Sequence, residues 1–190
     1  MSQILQLRPL APADEAVMRD FHEQLRADDF AFLQAEGTWD DIIATHEREA
    51  RGIDLPPGRV RAEFLVAAVD GRPVGRTSIR YELNDFLLDL GGHVGYAVAP
   101  EFRRRGYARQ ILSRSVERLR SAGVENVLVT CDETNTASAS VIERCGGVLE
   151  DVRANGDEPA KRRYWIGADP REAHQRRTRT GLCAPESGAV

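Results

Sequence analysis

Apolar and polar residues alternate from Ile4 to Arg8 and the run stops at Pro9, which predicts a first β-strand. Between Asp14 and Ala27, Val17, Met18, Phe21 and Leu25 recur at helical spacing. A second helix is predicted over Thr38–Arg51, with Thr38 as N-cap, Asp40 and Asp41 in the first turn and Gly52 at the end. The proline- and glycine-rich stretch IDLPPGRV is a loop. Two strand-like segments then flank DGRP, a hairpin signal, and GHVGYAVAP is a further strand ended by Pro100. From Gly106 to Ala122 the residues Ala108, Ile111, Leu112, Val116 and Leu119 form one helical stripe, with Gly123 suited to the position after the helix. NVLVTC is a wholly apolar strand of the buried kind. TNTASASVIERC is a short helix closed by Gly146 and Gly147, and GVLEDVR and KRRYWI are two closing strands.

The predicted order is one strand, two helices, three strands, helix, strand, helix, two strands. That order implies a mixed α/β sheet flanked by helices on both faces, in a single domain over residues 1–167. Residues 168–190 are polar and aperiodic, a tail expected to be mobile or docked on a partner.

Composition narrows the function. Hydrophobic residues are 42% and charged residues 29%, an ordinary globular balance, and a formal net charge of −4 gives no global attraction to nucleic acid or anionic membranes. Three cysteines, Cys131, Cys145 and Cys183, without a CxxC pair argue against a disulfide framework or a zinc site. The first residues lack a basic segment followed by a long apolar run, and no apolar run approaches bilayer length, so the expected location is cytoplasmic and no metal is expected. The RRTRT run in the tail is short and lacks interleaved aromatics, which argues against nucleic-acid binding.

The chemistry concentrates where the GHVGYAVAP strand meets the long helix. Arg103, Arg104 and Arg105 stand directly before Gly106. Cations at a helix N-terminus oppose its dipole by about 0.3–1 kcal/mol each. An anion offsets that repulsion, and the free N–H groups of the first turn suit a phosphate or pyrophosphate. Gly106 and Ala108 keep bulk away from such a ligand. A solvated arginine loop is the alternative. Neither GxGxxG nor a GxxxxGK phosphate loop is present.

VAPEFRRRGYA resembles the acetyl-coenzyme A motif of the Gcn5-related N-acetyltransferases (GNAT), in which R/Q-x-x-G-x-G/A follows a strand and opens a helix. NTASASVIERCGG is similar to the later segment of that family in which an asparagine starts a short helix ending at glycine. GGHVGY, VTCDETN and RRYWI resemble a bacterial subgroup of predicted acetyltransferases. The resemblance spans about Ile4 to Ile166. It implies acetyl-CoA as cofactor, lying in a gap between two adjacent parallel strands, Val94–Val98 and Val127–Thr130, that splay apart. It places Tyr96, Val98 and their neighbours on the pantetheine arm. Arg103, Arg104, Arg105, Gly106, Tyr107 and Ala108 fall at the pyrophosphate, and Asn135 and Ser138 face the thiol end.

The implied reaction is transfer of an acetyl group to a small-molecule amine or a protein amino group by direct attack in a ternary complex. The family's tyrosine acid falls at Ile142 here, leaving Tyr96, Tyr107, Ser138 or water as proton source. Glu82 and His93 are candidate bases, with an exposed strand-end carboxylate and a hydrogen-bonded tight turn as the alternative readings. Cys131 is either an acyl-carrying nucleophile or a packed small hydrophobe. Arg80 and Asn84 are candidate acceptor-binding residues, and a cationic Arg80 suits an acceptor with a carboxylate. Asp28, Asp29, Glu36 and the Thr38 helix lie where the family builds its acceptor pocket, or form a solvated face. A homodimer is one assembly this reading allows. The alternative function is an acyl-CoA-binding regulatory module without turnover.

Overall fold

The computed structural model of the protein describes residues 4–26 and 30–167. The expectations for Asp28, Asp29, Cys183 and the tail from residue 168 lie outside the described residues. Among the described residues seven strands and four α-helices follow one another in the predicted order: β1 (Leu5–Arg8), α1 (Glu15–Arg26), α2 (Trp39–Arg51), β2 (Ala62–Val69), β3 (Arg72–Arg80), β4 (Val94–Val98), α3 (Tyr107–Ser121), β5 (Val127–Asp132), α4 (Thr136–Arg144), β6 (Gly147–Asn155) and β7 (Glu158–Ile166).

Local chemistry sets most boundaries. Thr38 Oγ1 accepts from the Asp41 N–H at 3.2 Å, the Asp41 carboxylate accepts from the Thr38 N–H at 3.1 Å, and this reciprocal cap starts α2. Gly52, left-handed at φ +69°, ends it. Asp14 lies in a short 3-10 turn before α1 rather than in the helix. Its carboxylate accepts from Arg8 at 2.6 Å and from the Ala11 N–H at 2.9 Å. Asp70 and Gly71 both have positive φ, which makes a two-residue type I′ turn between β2 and β3.

Strands β1–β2–β3–β4 form one antiparallel sheet in that order, and β5–β7–β6 form a second antiparallel sheet. Alternation along the strands divides the core. On one face Phe64 and Val66 pack with Met18, Phe21 and Ile42 of α1 and α2. On the other, Leu65, Ile79 and Val94 pack with Leu112, Val116 and Leu119 of α3, and with Val127 and Val129 of β5. Thr77 Oγ1 and Ser115 Oγ, 3.0 Å apart, add a buried polar contact between β3 and α3. Among the described residues no helix is long and apolar enough to cross a membrane.

The expected α/β class with helices on both faces holds, while the expected parallel pairing of Val94–Val98 with Val127–Thr130 is not present as a ladder. β4 and β5 share no ladder of paired residues among the described strands. They meet at a corner instead, where the His93 N–H donates to the Leu128 carbonyl at 2.8 Å. Gly92 makes this close approach possible. Its φ is +68°, and a Cβ there would lie 2.8 Å from the Leu128 carbonyl oxygen.

Candidate active site

Strand β4 is an edge of its sheet, and its hydrogen-bond phase decides what that edge offers. The Arg80 N–H donates to His93 O at 2.8 Å and the Ala99 N–H to Val74 O at 3.0 Å. In an antiparallel pair the bonded positions alternate, so 95, 97 and 99, together with the His93 carbonyl, face β3. The N–H and C=O groups of Tyr96 and Val98 therefore point the other way, off the edge of the sheet. Arg103 Nε folds back to the Val98 carbonyl at 3.4 Å.

A 3-10 turn over Pro100–Phe102 then leads into α3. Arg104 is left-handed at φ +64°, a conformation uncommon for a residue that is not glycine, and Gly106 follows at φ +81°. Alternation of this kind points successive N–H groups into a shared concavity. Helix α3 has no side-chain cap and no acidic residue in its first turn, so its leading amides carry the positive end of the dipole unopposed. A Cβ on Gly106 would meet no atom within 4 Å, so open space lies in front of the turn. Arg105 is turned back, with Nη2 3.0 Å from Glu101 O and its guanidinium 5.5 Å from the Phe102 ring centre. The Tyr107 ring is buried in the core on the α1 and α2 side, while Ala108 remains partly accessible in the first turn.

A polar cluster sits where α4 starts. Asn135 Oδ1 accepts from the Ser138 N–H at 2.9 Å and caps the helix. Ser138 Oγ is 3.0 Å from Tyr96 Oη. Burial pushes the Tyr96 hydroxyl up to about 12, against a smaller lowering by its Ser138 bond. The Cys131 thiol is also pushed up by burial, with Ser138 and Arg162 acting against that shift. Spacing alone did not show that β4, β5 and α4 bring Tyr96, Ser138 and Cys131 together. Ile142, where the family tyrosine falls, is fully buried in the apolar core.

The remaining sequence candidates are dispersed. His93 is buried, and its Nδ1 accepts from the Leu128 N–H at 2.9 Å. The Nδ1 lone pair is thereby occupied, and the neutral ring carries its proton on Nε2. Burial, assisted by the nearby Arg80 charge, holds His93 down at about 4. Glu82 stands exposed on the bend after β3. Both ends of the Asn84 amide are engaged: Nδ2 donates to Gly58 O at 2.7 Å and Oδ1 accepts from the Leu87 N–H at 2.9 Å. Glu36 is exposed. Arg80 lies on the α1 and α2 face of β3, with Nη1 3.4 Å from Gly92 O. Arg76, four residues earlier on the same face, escaped the sequence reading. The available signal was an arginine between Val74 and Ile79 at an inward position of a central strand.

Two comparisons identify this architecture. Its fold is that of solved acetyltransferases. These include a yncA putative acetyltransferase from Salmonella typhimurium with acetyl-CoA (17% identity, 87% of this chain and 94% of that one, TM-score 0.61). RimL, a ribosomal L7/L12 α-N-protein acetyltransferase in complex with coenzyme A, is similar over 88% of this chain and 97% of its own (19% identity, TM-score 0.62). A chimera of the spermidine N-acetyltransferase SpeG, from Vibrio cholerae and hSSAT, is similar over 87% and 95% (19% identity, TM-score 0.59). The acetyltransferase (GNAT) domain profile matches residues 5–148, and the chain belongs to that family.

Proposed function

We propose that the protein is an N-acetyltransferase that takes the acetyl group from acetyl-CoA and delivers it to a primary amine by direct attack in a ternary complex. One observation carries this reading. The outward amides of Tyr96 and Val98 run along β4 into a glycine turn and an uncapped helix start, which together form one continuous row of hydrogen-bonding groups ending at an anion site. That row suits an amide-bearing arm followed by a pyrophosphate. Arg104, Gly106, Tyr107 and Ala108 hold the pyrophosphate through backbone N–H groups, and the Arg103 side chain adds charge beside Val98. Acetyl-CoA, once bound, supplies a thioester carbon for the amine to attack and a thiolate to leave.

The side chains serve this chemistry from the α4 end. Tyr96 Oη keeps its proton throughout the neutral range and sits beside Ser138 Oγ, so it is the proton source for the departing thiolate. It supplies the hydroxyl that the family pattern places at Ile142. Asn135 positions Ser138 by capping α4. Cys131 is a packed thiol, because burial disfavours the thiolate a nucleophile requires. His93 serves as a tie between β4 and β5 and offers no lone pair to an amine. Proton removal from the amine falls to water or to Glu82.

The test is acetyl-CoA binding by calorimetry together with thiol release over a panel of amines and peptide N-termini. Saturable binding with amine-dependent thiol release supports the proposal. Binding with no release on any amine supports the regulatory module instead.

A further inference from the structure

On the face of β3 and β4 opposite α3, two arginines converge above a glycine. Arg76 is 1% exposed, yet no carboxylate among the described residues lies within ion-pair distance of it. Its Nη1 donates to Gly95 O at 3.2 Å and its Nη2 to Ala31 O at 3.4 Å, while Nε has no partner. The rings of Phe30, Phe32 and Phe64 surround the guanidinium at 4.8, 5.8 and 5.7 Å. Arg80 approaches from four residues along the strand. Nη1 of each arginine lies 3.7 Å from the point a Gly95 Cβ would occupy, so these two nitrogens are at most about 7.5 Å apart. Gly95 puts no side chain between them. An oxyanion with two acceptor oxygens, each taking a charge-assisted bond at about 2.8 Å, spans such a gap.

We propose that Arg76 and Arg80 form an anion subsite on the acceptor side of the cleft, and that the natural acceptor is an amine that also carries an acid group, a carboxylate or a phosphate. This inference rests on the acetyltransferase reading. Gly95, on the arginine face, directly precedes Tyr96, whose side chain lies on the opposite face of β4, so an acceptor held at the arginines reaches the reacting end across the edge of that strand. Burying two like charges together is unfavourable, and burial together with Arg80 holds Arg76 down at about 9. Arg80 is lowered as well, by burial first and then by Arg59. Glu49, the carboxylate that acts on Arg80, is already paired with Arg59 at 3.1 Å and His46 at 3.4 Å. An anion arriving from outside removes the repulsion. Each arginine donates to it from Nη1. A polyamine, cationic at both ends, meets repulsion at the same place.

The experiment compares matched acceptors with and without the acid: alanine and ethylamine, phenylalanine and 2-phenylethylamine, 2-aminoethyl phosphate and ethanolamine, with spermidine as the cationic control. Turnover is measured with the wild-type, Arg80→Gln and Arg80→Lys proteins. Binding of the same pairs to the protein–coenzyme A complex is measured in parallel by calorimetry. The expected result is a preference of at least about tenfold in kcat/KM for the acid-bearing members, carried by KM. Arg80→Gln should abolish it and Arg80→Lys should retain part, with coenzyme A affinity unchanged in both. The carboxylate and phosphate pairs show which acid is read. Equal use of acid-free partners, a preference for spermidine, or an Arg80→Gln protein with its preference intact overturns the subsite. If nothing turns over, the transferase reading fails and binding decides alone: acid-selective binding lost in Arg80→Gln sustains the subsite, and unselective binding overturns it.

Discussion

His93 joins the two sheets at one corner, and its titration gives a measurable stability signature. Free histidine takes a proton near 6.5, whereas His93 takes one only near 4 because burial disfavours the charged ring, assisted by the Arg80 charge. The folded state thus favours the neutral ring. A depressed folded pKa contributes stability that is fully present above about pH 6.5 and is lost as pH falls through about 4. Linkage over that interval removes about 2 kcal/mol by pH 5 and about 3 kcal/mol near pH 4. Against a total of about 5–15 kcal/mol that is a large share. Urea unfolding at pH 7.5, 6 and 5 reads it directly, since 2 kcal/mol corresponds to a midpoint about 1 M lower. The comparison is His93→Asn, whose Oδ1 keeps an acceptor near Nδ1 but does not titrate. Acidification should lower the wild-type midpoint by about 1 M more than that of the variant. Parallel pH profiles for the two proteins would refute the argument. The same variant also tests the catalytic assignment. As a tie, its loss should leave turnover at pH 7.5 within a few-fold, whereas a base would cost about 100-fold or more.

Three further outcomes follow from the site. Gly106→Val places a side chain in the open space before α3 and forces a β-branched residue to φ +81°. Coenzyme A affinity should fall at least tenfold in calorimetry, alongside a stability loss of about 1–2 kcal/mol from the backbone. Tyr96→Phe should lower kcat by about 10- to 100-fold with coenzyme A affinity unchanged, and equal activity at pH 8 would remove Tyr96 as the proton source. Cys131→Ala should keep most activity, and a dead variant with normal coenzyme A binding would establish a covalent route.

Local sequence determined the element order, the cap of α2, the β2–β3 turn and the arginine–glycine junction, and the family resemblance added the asparagine that starts α4. Each depends on residues a few positions apart: Thr38 with Asp41, Asn135 with Ser138, Asp70 with Gly71. Periodicity also showed that α1 and α3 each bury an apolar stripe, while which face of the sheet each helix covers came from the tertiary structure. Tertiary structure decided what no spacing encodes. A one-residue change of phase along β4 would turn Tyr96 and Val98 into β3 and remove the outward amides, and only the pairing of Arg80 with His93 and Val74 with Ala99 sets that phase. His93 looked suited to accept a proton until Leu128, 35 positions away, occupied its lone pair. Asn84 looked available until Gly58 and Leu87 engaged its amide. Arg76 reads in sequence as one arginine among many. It becomes a buried cation only when Phe30, Phe32 and Phe64 close around it, because the cost of burying a charge depends on neighbours that the fold assembles.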